Sequence, residues 1–161
     1  MTMNKRKPAN KSSCSCTSLR KASRRLSLIY DAALAPAGLK ITQRAILAEI
    51  GRSMPTAVGA LAETLVMDAG ALAHTLKPLE RDGYVCSSAN PDDRRHRLIS
   101  LTPQGRAKLT ETEKLWTQAQ TAFEATIGKA ETKALHIALA RLSDPNFLAA
   151  FEEQLAATSS D

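Results

Sequence analysis

Aromatic residues are scarce: Phe, Tyr and Trp together make up 4% of the 161 residues. With alanine and leucine abundant, that balance favours helices over sheets. No apolar run approaches the roughly 18 residues that a membrane-spanning helix needs, so no membrane is expected among the partners. The basic N-terminus has no apolar stretch behind it, which excludes a secretory signal. Three cysteines are an odd number without framework spacing, which argues against a disulfide scaffold and for a reducing cytoplasmic setting. Residues 1–25 contain no acid and eight basic residues, a net charge of +8. The remainder has 14 basic and 16 acidic residues, net −2, within an overall +6. The body is therefore not a general polyanion sponge, because its positive charge is localised. There is no Gly-rich phosphate loop, no Ser–His–Asp pattern and no internal repeat. His74, His96 and His136 are isolated in sequence. No enzymatic activity, cofactor or metal site is expected.

Hydrophobic residues make up 43% of the chain, enough for a core, and the length fits one domain with or without added dimerisation helices. Residues 1–13 are polar and basic without periodicity and read as a disordered arm, either touching phosphate or solubilising the chain. Residues 14–40 hold a long helix in which Leu19, Leu26 and Ala33 repeat every seven, a seam able to meet a partner helix. Pro36, Ala37 and Gly38 stop it. Thr42 reads as the cap of a second helix that buries Ile46 and Ile50 and ends at Gly51.

The most informative stretch is Leu61 to Gly105. Asp68 can cap a helix whose Leu72, Leu76 and Leu79 form one apolar stripe. Its opposite face carries Gly70, Ala71, His74, Lys77 and Arg81. Pro78 removes a donor and should bend the helix, and Gly83 suits the left-handed residue that ends it. A shorter helix with Val58, Leu61, Ala62 and Leu65 inward precedes it, separated only by Val66-Met67. Pro55 and Thr56 read as the start of this pair. Two short helices with a tight turn have helix-turn-helix geometry, whose second helix enters a major groove.

Tyr84–Ser88 and Arg97–Leu101 read as two strands, Ile99 and Leu101 pointing inward. Between them, Asn90-Pro91-Asp92-Asp93 is turn chemistry. Arg94, Arg95 and Arg97 are then held on a stiff hairpin, with Asp93 two residues before Arg95 able to orient it. Guanidinium suits phosphate and narrow minor grooves. Beyond the hairpin, Thr102 and Pro103 open a helix that runs to about Ile127, near 37 Å long. A compact winged domain has no need of such length. Gly128 breaks it. Leu135, Leu139 and Leu142 mark another helix, and Asp144-Pro145 reads as the start of a last one with Phe147, Leu148, Phe151 and Leu155. The expected fold is mainly α with a small β-hairpin wing: a winged helix-turn-helix at 41–102, a dimerisation helix at 14–40, and a linking helix with C-terminal dimerisation helices at 103–157.

These residues resemble the MarR family of winged-helix transcription factors. The match runs through Leu61-Ala62, Met67-Asp68, Leu76-Lys77-Pro78-Leu79-Glu80-Arg81-Asp82-Gly83-Tyr84-Val85, Asp93-Arg94-Arg95 and Ile99-Ser100-Leu101-Thr102-Pro103-Gln104-Gly105, and covers about residues 14–157. The resemblance implies a homodimer on a palindromic DNA operator, with repression relieved by a small ligand or by thiol oxidation. It places DNA contacts at Gly70, Ala71, His74, Lys77, Arg94, Arg95 and Arg97. It places a small-molecule effector between the dimer helices and the winged domain, where Tyr30 and Trp116 are candidate lining residues. Relatives commonly carry polar or basic residues early in the recognition helix, with Arg near the position of His74. Here Ala69-Gly70-Ala71 can touch thymine methyls but make no bidentate hydrogen bonds, so the wing and DNA shape should carry more of the recognition.

Cys14-Ser15-Cys16 has three readings. The pair can be ordinary reduced thiols, an oxidant sensor, or a soft metal site that would need further ligands. A helix N-terminus with Arg20 and Lys21 nearby would lower a thiol pKa and favour the sensor. The resemblance adds support, since some relatives sense oxidants through a cysteine near this end. Cys86 lies at the wing. Two other functions stay open: a winged protein-interaction module, and a thiol switch with weak DNA readout. Steep salt dependence of binding would distinguish a DNA reader from the first of these.

Overall fold

The computed structural model describes residues 14–91 and 97–158; the basic arm expected at 1–13 lies outside them. Helix α1 spans Ser15–Leu34, followed by a 3-10 turn at Ala35–Ala37 and by Gly38 in the left-handed region at φ 69°. Then come α2 (Ile41–Arg52), β1 (Thr56–Ala57), α3 (Val58–Thr64), α4 (Ala69–Arg81), β2 (Val85–Ala89), β3 (Arg97–Leu101), α5 (Pro103–Ile127), α6 (Lys129–Leu142) and α7 (Phe147–Thr158). This is the mainly helical winged helix-turn-helix expected from the sequence.

The core lies in the middle of the chain. Leu39, Ile46, Leu47 and Ile50 meet Leu61, Leu72, Leu76 and Leu79, closed by Val85, Ile99 and Leu101. The spacing of Leu72, Leu76 and Leu79 puts all three on one face of α4, and each is buried. Asp68 caps α4 by accepting the Ala71 N–H at 2.8 Å. On α5, the Thr102 hydroxyl accepts the Gly105 N–H at 2.9 Å and donates to the Gly83 carbonyl at 2.6 Å. One threonine thus starts α5 and ties it to the end of α4.

The hairpin is part of a three-stranded antiparallel sheet in the order β1-β3-β2. Thr56 pairs with Ile99 and Ala57 with Leu98, so Thr56 begins a strand and the helix starts only at Val58. Two residues are too few to display alternation, which is why the pattern hid β1. Strand β2 begins at Val85 rather than Tyr84, because the Tyr84 N–H is taken by the Leu79 carbonyl at 2.9 Å in the helix-ending turn. Gly83 has the expected positive φ, 74°.

Three other boundaries differ from expectation. Helix α2 starts at Ile41, with Lys40 rather than Thr42 at the cap position. Its first donors are satisfied from elsewhere: Asp31 of α1 accepts the Ile41 N–H at 2.7 Å and Gln43 accepts the Lys40 N–H at 2.9 Å. Gly51 does not end α2, which continues to Arg52. Asp144-Pro145 forms a turn, its carboxylate accepting the Asn146 N–H at 2.8 Å, and α7 begins at Phe147.

Helix α5 packs against α1, α2 and β3, and α6 packs against α5. On α7, Phe147, Leu148, Phe151 and Leu155 remain exposed, with Ile137, Leu139 and Leu142 of α6. No helix among the described residues is long and apolar enough to cross a membrane.

Candidate nucleic-acid interface

Burying the leucine stripe of α4 forces the opposite face outward. Gly70, Ala71, His74 and Lys77 are all exposed on it, joined by Ala69, Ala73 and Arg81. The turn that presents this face is tight: Val66 takes φ 50°, the Met67 N–H reaches back to the Ala62 carbonyl at 2.9 Å, and the Asp68 cap then starts α4. Left-handed backbone is unusual for a β-branched residue, and the Val66 side chain is 75% exposed. Arg97, which pairs with Ala89 at the loop end of the hairpin, is exposed. Arg94, Arg95 and His96 lie outside the described residues.

Tyr30 and Trp116 do not share a cavity. Tyr30 donates its hydroxyl to Gln120 at 2.8 Å and lines a groove of about 580 Å³ between α1, α5 and α6, walled by Leu19, Leu26, Phe123 and Leu139. Burial, with the Glu124 charge second, raises the Tyr30 pKa. Trp116 faces a different cleft, of about 530 Å³, between α2 and α5, with Arg44, Met54, Leu101, Arg106 and Glu113.

Arg44 is the residue that local sequence does not reveal. It is 7% exposed, its guanidinium stands 4.4 Å from the centre of the Trp116 ring, and its Nη2 donates to Glu113 at 2.6 Å. Its Nε–H is buried without an acceptor among the described residues. The guanidinium is thus held between the Glu113 carboxylate and the Trp116 face. Lys108 was likewise hidden. It donates to the Ala37 carbonyl at 3.2 Å, pairs with Glu111 at 2.8 Å and sits 5.7 Å from the centre of the Tyr84 ring, so it stitches the end of α1 to the wing's root. The Glu111 hydrogen bond is the main reason its pKa is raised.

Cys14, Cys16 and Cys86 are free and exposed. Cys14 stands at the cap position of α1 and Cys16 in its first turn. No capping hydrogen bond closes on the Cys14 sulfur, yet the Thr17 N–H, then the Thr17 hydroxyl and the Cys16 N–H, favour its thiolate and lower its pKa. Of the two causes expected from the sequence, the helix N-terminus supplies these amides, while Arg20 and Lys21 are not among the causes. Among the described residues, no group of three or more His, Cys, Asp or Glu side chains could hold a metal ion.

A model of the MarR family matches residues 39–96, the span from the start of α2 to the wing. No curated protein matches the chain. Among solved structures, the M. tuberculosis transcriptional regulator MOSR in complex with DNA is 34% identical, covers 81% of this chain and 94% of its own, and superposes with a TM-score of 0.74. The chain belongs to the MarR family. A probable transcriptional regulator from Pseudomonas aeruginosa is 31% identical, with 79% of this chain and 95% of that one covered and a TM-score of 0.71. The transcriptional repressor CouR, bound to a 23-mer DNA duplex, is 25% identical with a TM-score of 0.74, covering 81% and 93%. This MarR-family protein is thus a DNA-binding transcriptional regulator, and at the level of the family not an enzyme.

Proposed function

We propose that two copies of this chain bind a palindromic double-stranded operator in the cytoplasm as a homodimeric repressor, released by a small-molecule effector or by oxidation at Cys14. The observation that carries this reading is the exposed face of α4, Gly70, Ala71, His74 and Lys77, next to a hairpin whose sequence carries Arg94, Arg95 and Arg97. Two such heads must stand about 34–36 Å apart to enter successive major grooves. Relatives of the same fold solved on DNA, one of them named a repressor, support it.

Dimerisation is supported by complementary surfaces on one chain. Helix α7 exposes Phe147, Leu148, Phe151 and Leu155 next to Glu152 and Glu153, while α1 carries Arg20, Lys21, Arg24 and Arg25 beside the apolar wall of the α1–α5–α6 groove. An exposed apolar strip of this kind is a liability unless a partner covers it, and a two-fold arrangement covers both copies at once.

The wing is tested at Arg95. Arg95→Ala should weaken binding to a duplex selected by the wild-type protein from a random pool, by about 1–3 kcal/mol. A loss below a few tenths would remove the wing from recognition.

Release has two supported routes. The cleft lined by Arg44 and Trp116 offers room for a small molecule. The lowered Cys14 pKa favours attack on an oxidant. Peroxide should abolish duplex binding by the wild type and spare Cys14→Ser; equal loss in both would take Cys14 out of the mechanism.

The small apolar residues at the start of α4 also fit a module that binds protein rather than DNA. Salt separates the two. A DNA reader loses affinity steeply between 50 and 200 mM salt, roughly tenfold for each few phosphate contacts released, whereas an apolar protein contact does not.

A further inference from the structure

Strand β1 is short, and the register of the sheet shows what replaces it. Thr56 stands opposite Ile99, so Met54 falls level with Leu101, just before the start of β1. There the Met54 sulfur, rather than a main-chain carbonyl, takes the Leu101 N–H at 3.2 Å. The same sulfur accepts Nη1 of Arg106 from the first turns of α5 at 3.5 Å. A thioether is a weak acceptor, yet here it joins the loop after α2, the middle strand of the wing and α5. Met54 is 37% exposed and forms part of the wall of the α2–α5 cleft, so small oxidants reach it. Met67, by contrast, is packed against the core.

We infer that Met54 is a site of reversible oxidative modification that loosens the wing. A two-electron oxidant such as hypochlorous acid transfers oxygen to the sulfur; the thioether loses two electrons, and chlorine leaves as chloride with a proton. The sulfoxide oxygen is a strong, polar acceptor on a side chain that was apolar. It draws the charged Arg106 guanidinium, because charge-assisted hydrogen bonds are the stronger ones, and turns away from Leu101. The Leu101 N–H is left without an acceptor at the root of β3, on which the wing depends. A thiol-dependent sulfoxide reductase restores the thioether. The consequence for DNA rests on the reading of this protein as a DNA binder.

The experiment uses the full chain with Cys14, Cys16 and Cys86 replaced by serine, so that thiol chemistry is absent. Hypochlorite is titrated until peptide mapping by mass spectrometry shows Met54 fully oxidised, with Met1, Met3 and Met67 of the four methionines read separately; Met54 is expected to be oxidised before Met67. Hydrogen exchange at the Leu101 amide, which needs no DNA, should then quicken about tenfold, as for an amide that has lost its acceptor. Affinity for the duplex selected by the unoxidised protein should fall about tenfold, the scale of one broken backbone hydrogen bond, and should return after enzymatic reduction. In the same background Met54→Leu, which also leaves the Leu101 N–H without its acceptor, should exchange that amide as fast and bind the duplex as weakly as the oxidised protein, with no further loss on hypochlorite. Unchanged Leu101 exchange at full Met54 oxidation overturns the inference, as does undiminished binding by untreated Met54→Leu or a further loss of its binding on hypochlorite. If the unoxidised protein selects no duplex, the DNA reading fails instead, and the Leu101 exchange still decides the modification.

Discussion

Replacing Gly105 with alanine should cost about 3 kcal/mol or more of folding stability, at the upper end of what overpacking a well-filled site produces. A Cβ built at this position lies 1.9 Å from the Tyr84 carbonyl oxygen and 2.8 Å from its carbon. Both are main-chain atoms, and neither can move without breaking its surroundings. The Tyr84 carbonyl accepts the Thr102 N–H at 3.1 Å, the Tyr84 N–H is held by Leu79, and the Thr102 hydroxyl holds the Gly83 carbonyl. Glycine is required here by the closeness of α5 to the chain that leaves α4, since residue 105 itself is helical. This knot joins recognition helix, wing and linking helix, so the variant should also bind DNA poorly at temperatures where it stays folded. Urea denaturation at a fixed protein concentration measures the first effect. A loss under about 1 kcal/mol, small beside the cost of overpacking, would show that the contact relaxes.

The second large effect is expected at α7. Phe151→Glu places a charge in the middle of the apolar strip formed by Phe147, Leu148 and Leu155. Phe151 is 54% exposed within one chain, and its ring stacks on Phe147 at a centroid distance of 6.1 Å. The fold of the single chain should therefore survive, with an unchanged helical circular dichroism spectrum. The homodimer should not. Light scattering at micromolar concentration should give a monomer, and affinity for the selected duplex should fall about 100-fold or more, because two linked heads gain their second half-site at a high effective concentration. A variant that remains dimeric with unchanged affinity would place the interface elsewhere.

Legibility in the sequence followed the range of the interactions. Helix α5 could be read to the residue because both its ends are local: Thr102-Pro103 opens it and Gly128 closes it. Helix α4 was equally readable, since Asp68 and the leucine stripe act within a few turns. The start of α2 was not, because the acceptor for its Ile41 N–H comes from Asp31, ten residues upstream on another helix. Strand β1 was hidden by its two-residue length. The clefts were the least legible part. Arg44 and Trp116 meet across 72 positions, and no periodicity in α2 or α5 announces that encounter. Tyr30 and Trp116, paired on the strength of family resemblance, prove to face different spaces. For Cys14 the sequence points to both the helix N-terminus and the nearby Arg20 and Lys21; the groups that favour its thiolate are the first-turn amides and the Thr17 hydroxyl, not those cations.

Paired recognition heads, held at a fixed span by the shared helices, are the centre of the proposed mechanism. Hydroxyl-radical footprinting on the DNA flanking the protein's own gene tests this most directly. The expected result is two protected tracts related by two-fold symmetry, their centres about 10–10.5 base pairs apart, both lost in Phe151→Glu. A single tract without symmetry, or protection that survives in that variant, would contradict it.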